Sequence, residues 1–134
     1  MICMGKSMVA VLNTSREITD LLEDVLREEG YDTCSFFTYI FKEREEKFDA
    51  FVEKNRPSVI IYDIAIPYKE NYDLFKRLLT HKSVKNIPFV LTTTNKDALE
   101  ELAGKTISYE LVGKPFDLEQ ILEAVKNALK KKTA

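Results

Sequence analysis

Five short apolar runs, each followed by a segment whose apolar residues recur at helical spacing, restrict this chain more than any other feature. The runs are Ser7 to Leu12, Tyr31 to Phe37, Val59 to Tyr62, Ile87 to Thr92 and Ile107 to Val112. They are too short for packed helices and apolar enough for strands covered on both faces. Strict alternation of strand and helix implies a parallel sheet with helices on both sides and right-handed crossovers. Function in such sheets sits at the C-terminal strand ends, here Asn13 and Thr14, Asp63, Thr92 to Thr94, and Gly113 to Lys114.

The intervening segments carry helix signals. Thr14 with Glu17 three residues on reads as a capping box, followed by Ile18, Leu21, Leu22, Val25 and Leu26, and Gly30 ends the pattern. Lys42 to Lys54 reads as one charged helix burying Phe48, Phe51 and Val52. Asn71 to His81 reads as another, with Leu74, Phe75, Leu78 and Leu79 on its inner stripe. Lys96 to Ala103 is a short fourth helix. In the fifth, Asp117 and Gln120 form a capping box, Phe116 staples onto Ile121, and the helix runs through Val125 and Leu129.

Composition excludes several classes. A chain of 134 residues with 45% apolar and 31% charged residues has the size and balance of one globular domain, spanning residues 1–134, with a core that needs no metal or disulfide. The net charge of −2, with both signs interspersed, leaves no nucleic-acid footprint. The run Lys130-Lys131-Lys132 reads as cations at a helix C-terminus rather than as a site for an anionic partner. Cys3 and Cys34 make neither a disulfide framework nor a zinc site, and Cys34 is expected to be buried filler. No apolar stretch approaches the roughly 18 residues of a membrane span, and no signal peptide opens the chain, so a cytoplasmic location is expected. His81, the only histidine, lies beside Lys82 and reads as a solvated surface residue. No hydrolase constellation can be assembled, and the chain is not expected to be an enzyme.

Three segments together resemble the receiver domain of bacterial response regulators, the CheY-like superfamily. They are Val59-Ile60-Ile61-Tyr62-Asp63-Ile64-Ala65-Ile66-Pro67, Pro88-Phe89-Val90-Leu91-Thr92-Thr93 and Lys114-Pro115-Phe116, in order and spacing over nearly the whole chain. The resemblance implies a flavodoxin-like doubly wound (βα)5 three-layer sandwich with a parallel sheet in the order 2-1-3-4-5. It also implies that Asp63 is the phosphoacceptor for a histidine kinase in a two-component phosphorelay. Lys114 would then pair with the phosphoryl oxygens, with a cis bond to Pro115, and Thr93 would be the hydroxyl that turns toward the phosphoryl group.

The chain departs from that family at the end of the first strand. Two adjacent acids normally hold Mg²⁺ there with the phosphoacceptor, and here the positions are Asn13 and Thr14, a register that counting back from Gly30 supports. Asp63 and Lys114 alone sum to about zero where the usual site sums to −2 before the metal. Each missing charge ~4 Å from a divalent ion is worth roughly 2 kcal/mol in water. Mg²⁺ held by Asp63, Asn13 and Ala65 is therefore expected to be weak or absent, and Thr14 is better explained as a helix N-cap. Thr94 replaces a small residue beside the pocket and Leu111 an aromatic one. Asn71 stands in a glycine position, where its tolerance of the left-handed conformation preserves the loop.

The first reading is thus a receiver-like signalling domain, a nominal phosphoprotein with impaired Mg²⁺-dependent phosphorylation. A pseudo-receiver acting as a protein-interaction module is the second. A flavodoxin-type small-molecule binder, using hydroxyls of Asn13-Thr14-Ser15 and Thr19, is the weakest. The resemblance further implies a homodimer or docking face on the fourth helix, fifth strand and fifth helix, around Lys96, Tyr109 and Lys126.

Overall fold

The computed structural model describes residues 7–103, 110–113 and 118–133, the side chains of 103, 110–113 and 131–133 excepted. Its elements in chain order are β1 (Met8–Asn13), α1 (Arg16–Glu28), β2 (Asp32–Phe37), α2 (Thr38–Glu43), α3 (Glu45–Asn55), β3 (Val59–Ile64), α4 (Tyr68–Leu79), a 3-10 turn (Lys82–Val84), β4 (Phe89–Thr93), α5 (Lys96–Ala103), β5 (Glu110–Gly113) and α6 (Leu118–Thr133). All strand pairs are parallel, and the sheet order is β2-β1-β3-β4-β5, as the sequence predicts.

The side-chain period of two divides the core between the faces of the sheet. Ile60, Tyr62 and Ile64 of β3 face one way with Phe89 and Leu91 of β4, against Phe41, Phe48, Phe75, Leu78 and Leu99 from α2, α3, α4 and α5. Val59, Ile61 and Val90 face the other way, against Leu22 and Leu26 of α1 and Ile121 and Val125 of α6. Every residue of β3 except Asp63 is buried, so the central strand is apolar on both faces until its penultimate position.

Local chemistry accounts for the helix ends and for five corrections to the sequence reading. Ser15, not Thr14, caps α1: its hydroxyl accepts the Ile18 N–H at 3.2 Å. Gly30, at φ 96°, closes the helix, with the Tyr31 N–H reaching the Leu26 carbonyl as in a Schellman motif. The segment Lys42 to Lys54 is not one helix. It breaks at Arg44 (φ −142°, ψ 82°), and the break lets Phe41 and Phe48 both enter the core, edge to face at 5.4 Å. Asn71 is not a left-handed loop residue, because α4 already begins at Tyr68.

The fourth correction is His81, whose side chain is only 16% exposed. Its ring meets the edges of Phe41 and Phe48, Nε2 lies 2.9 Å from Glu45, and Nδ1 lies 3.0 Å from Asp49. Ser83 donates to Asp49 at 2.7 Å and Arg77 pairs with Glu45, so the cluster ties α3 to the end of α4. Cys34 is half-buried rather than buried. Desolvation, then the charge of Glu23, push its thiol up to about 12, which keeps it protonated.

Candidate functional site at the C-terminal strand ends

The sheet register brings the expected residues to one rim. Asp63 lies opposite Thr92 across the β3–β4 pair, and Asn13 follows Leu12, the residue opposite Tyr62, so it stands at the level of Asp63. By the alternation along β3, Asp63 points to the face that carries α1 and α6. Thr93 pairs in register with Gly113, which ends β5. Lys114, Pro115 and Phe116 lie outside the described residues, as does Tyr109, and so do the contacts and the peptide isomer expected of them.

Each rim residue has a defined partner. Thr92, 2% exposed, donates its hydroxyl to Asp63 Oδ1 at 2.6 Å, the short distance of a bond to a charged acceptor. Thr93 is buried and its hydroxyl accepts the Asn95 N–H at 3.3 Å. Asn13, also buried, accepts the Ser15 N–H on Oδ1 at 2.9 Å. The Ala65 carbonyl accepts Asn71 Nδ2 at 2.8 Å. Asn95 accepts the Ala98 N–H at 3.0 Å, the arrangement of an N-cap at the start of α5. Burial first, and the neighbouring Asp63 charge second, hold the Tyr62 phenol well above its usual range.

The sequence reading placed Thr92 at a strand end and Asn71 in the loop after the third strand without giving either a hydrogen-bonding role, and Tyr68 escaped it. Thr92 shares the parity of Val90 and so the face of Asp63, a signal that becomes usable only with the register of β4 against β3. Tyr68 hydrogen-bonds Thr94 between the β3–α4 and β4–α5 connections. It comes from the face of α2 to α5, against which its ring packs.

The donor set does not fit an Mg²⁺ centre. One carboxylate stands where the receiver site has three, and Asn13 Oδ1 and the Ala65 carbonyl are each held by an internal donor. Among the described residues, no group of three or more His, Cys, Asp or Glu side chains can hold a metal ion. No helix among them is long and apolar enough to cross a membrane.

Sheet order and helix layers together define a doubly wound α/β fold of the flavodoxin-like kind, with Asp63 at the end of its central strand. The solved structures agree. The chemotaxis response regulator CheY4 of Vibrio cholerae superposes with a TM-score of 0.70 at 22% identity, over 92% of this chain and 99% of that one. The structure described as a transiently phosphorylated switch in bacterial signal transduction gives 0.73 at 20% identity, over 98% and 100%. In sequence, the chain is 24% identical over 128 residues to the transcriptional regulatory protein GltR of Pseudomonas aeruginosa, covering 95% of this chain and 50% of that protein. The chain thus spans about half the length of that relative. No protein-family model matches it.

Proposed function

We propose that this receiver-like domain serves two-component signalling, with Asp63 as its nominal phosphoacceptor from a histidine kinase and with phosphorylation slowed by the missing acid pair. The observation that carries the reading is the placement of Asp63, half-buried at the end of the central strand beside Thr92 and Asn13. The likeness to a transiently phosphorylated switch supports it.

The chemistry is nucleophilic. A carboxylate oxygen of Asp63 forms a bond to phosphorus while the bond from phosphorus to the donor's leaving group breaks, the leaving group taking the electron pair. Lys114, by its sequence position, is the cation assigned to the equatorial oxygens, and Thr93 the hydroxyl assigned to sense them. Signalling then runs through docking or self-association on α5, β5 and α6. Lys96 and Lys126 are exposed on this face. The setting is the cytoplasm.

The internal bonds at Asn13 and Ala65 favour a second reading, an interaction module that keeps the fold and does not turn over phosphate. Intact mass after incubation with acetyl phosphate and Mg²⁺ separates the two. A slow single-phosphate adduct that is lost in Asp63→Asn supports the phosphoacceptor, because an amide cannot form the acyl phosphate. No adduct on the wild type favours the interaction module.

A further inference from the structure

Three oxygens that the receiver resemblance assigns to a cation each accept a hydrogen bond from within the protein. Ser15 N–H binds Asn13 Oδ1 at 2.9 Å, Thr92 O–H binds Asp63 Oδ1 at 2.6 Å, and Asn71 Nδ2 binds the Ala65 carbonyl at 2.8 Å. The three donors come from the start of α1, the end of β4 and the first turn of α4. They converge from three separate elements on one strand-end rim.

We propose that Thr92 and Asn71 are positioning residues that take over the work of a cation, holding Asp63 and the Ala65 carbonyl in place so that the site is preorganised without metal. The proposal rests on Asp63 being the functional carboxylate of the site. Thr92 is 2% exposed and stands in register with Asp63 on a strand whose other residues, Thr93 apart, are apolar. A buried hydroxyl needs a partner, and a carboxylate at the edge of a core needs donors; each group answers the other's demand. Asn71 does the same for the connection after β3, where its amide spans from α4 back to residue 65. Mg²⁺ demands near-octahedral oxygen ligands, so to bind here it would have to share or displace these donors. The absence of acids at positions 13 and 14 and the presence of internal donors then belong to one arrangement, in which uncharged donors hold the Asp63 carboxylate and the Ala65 carbonyl.

Carbon-13 NMR of the whole chain tests this without requiring phosphorylation. Thr92→Val, close in shape but lacking the donor, is expected to shift the Asp63 ¹³Cγ resonance, and Thr92→Ser to return it to the wild-type position. Added Mg²⁺ is expected to move the Asp63 ¹³Cγ and Ala65 ¹³C′ resonances of a Thr92→Val, Asn71→Ala double variant at concentrations about tenfold lower than in the wild type. An Asp63 resonance unmoved by Thr92→Val, or a Thr92→Ser variant that behaves like Thr92→Val, would overturn the role of the hydroxyl. Equal Mg²⁺ response in the wild type and the double variant would overturn the replacement of the cation. Failure of acetyl phosphate to label Asp63 would instead count against the phosphoacceptor reading, and the NMR outcome would still decide this one.

Discussion

The hydroxyls of Tyr68 and Thr94 meet in a hydrogen bond that fastens the connection after β3 to the connection after β4. Thr94 directly follows β4, two residues after Thr92, which donates to Asp63, so the bond lies at the C-terminal end of the sheet. Tyr68→Phe and Thr94→Ala each remove one partner of a bond whose Thr94 end is exposed, so each should cost about 1 kcal/mol of stability or less. Both are expected to speed acetyl phosphate labelling of Asp63 by loosening the strap. Labelling rates unchanged in both variants would show that the strap does not limit access.

Restoring the missing acids should restore the cation. Asn13→Asp together with Thr14→Asp adds two negative charges near Asp63, each worth roughly 2 kcal/mol toward a divalent ion at ~4 Å in water. Mg²⁺ titration followed by tyrosine fluorescence or calorimetry is expected to show binding at least about tenfold tighter than in the wild type. Equal affinities would remove the charge count as the explanation.

His81 predicts a pH dependence of stability. Burial by itself lowers its pKa, but the hydrogen bonds to Glu45 and Asp49 outweigh that and raise it above the ordinary value. A histidine raised in the folded state binds its proton more tightly there than in the unfolded chain. Its contribution is therefore complete below about pH 6.5, the unfolded value, and fades as pH rises through the folded pKa. Glu45 acts in the opposite sense at low pH. The hydrogen bond from Arg77 above all, and then that from His81, lower its pKa, so its contribution is lost as pH falls through the folded value. Thermal melts of His81→Gln should lose the decline in stability above neutral entry to that window while keeping the acid limb. A wild-type profile flat from pH 6 to 8 would contradict the assignment.

Arg56 ends α3 in the left-handed conformation, with φ 46° and ψ 60°, and is exposed. A residue with a Cβ costs about 1 kcal/mol or more there, and glycine avoids the cost. Arg56→Gly is expected to raise stability by about 0.5–1 kcal/mol in urea unfolding, with an unchanged slope. Destabilisation would mean that Arg56 makes a contact outweighing its backbone strain.

Much of this protein is determined by local pattern. Buried parallel strands need uninterrupted apolar runs and helices need a stripe at their own period, so the alternation of strand and helix, the limits of α5 and the stop at Gly30 are legible residue by residue. A carboxylate closing an apolar run stands out for the same reason, and Asp63 and Asn13 stand at the same level of the sheet. Pairings between distant segments carry no such mark. Whether Thr92 or Thr93 faces Asp63 depends on a register in which a slip of one residue reverses every side chain. That Asn71 turns back to Ala65 depends on a helix starting at Tyr68, and that His81 is enclosed depends on a break at Arg44 and on packing between helices remote in sequence. The sequence therefore determined the fold and the carboxylate at its centre, while only the tertiary structure decided which hydrogen-bond donors surround that carboxylate, because those donors are chosen by three-dimensional proximity and not by period.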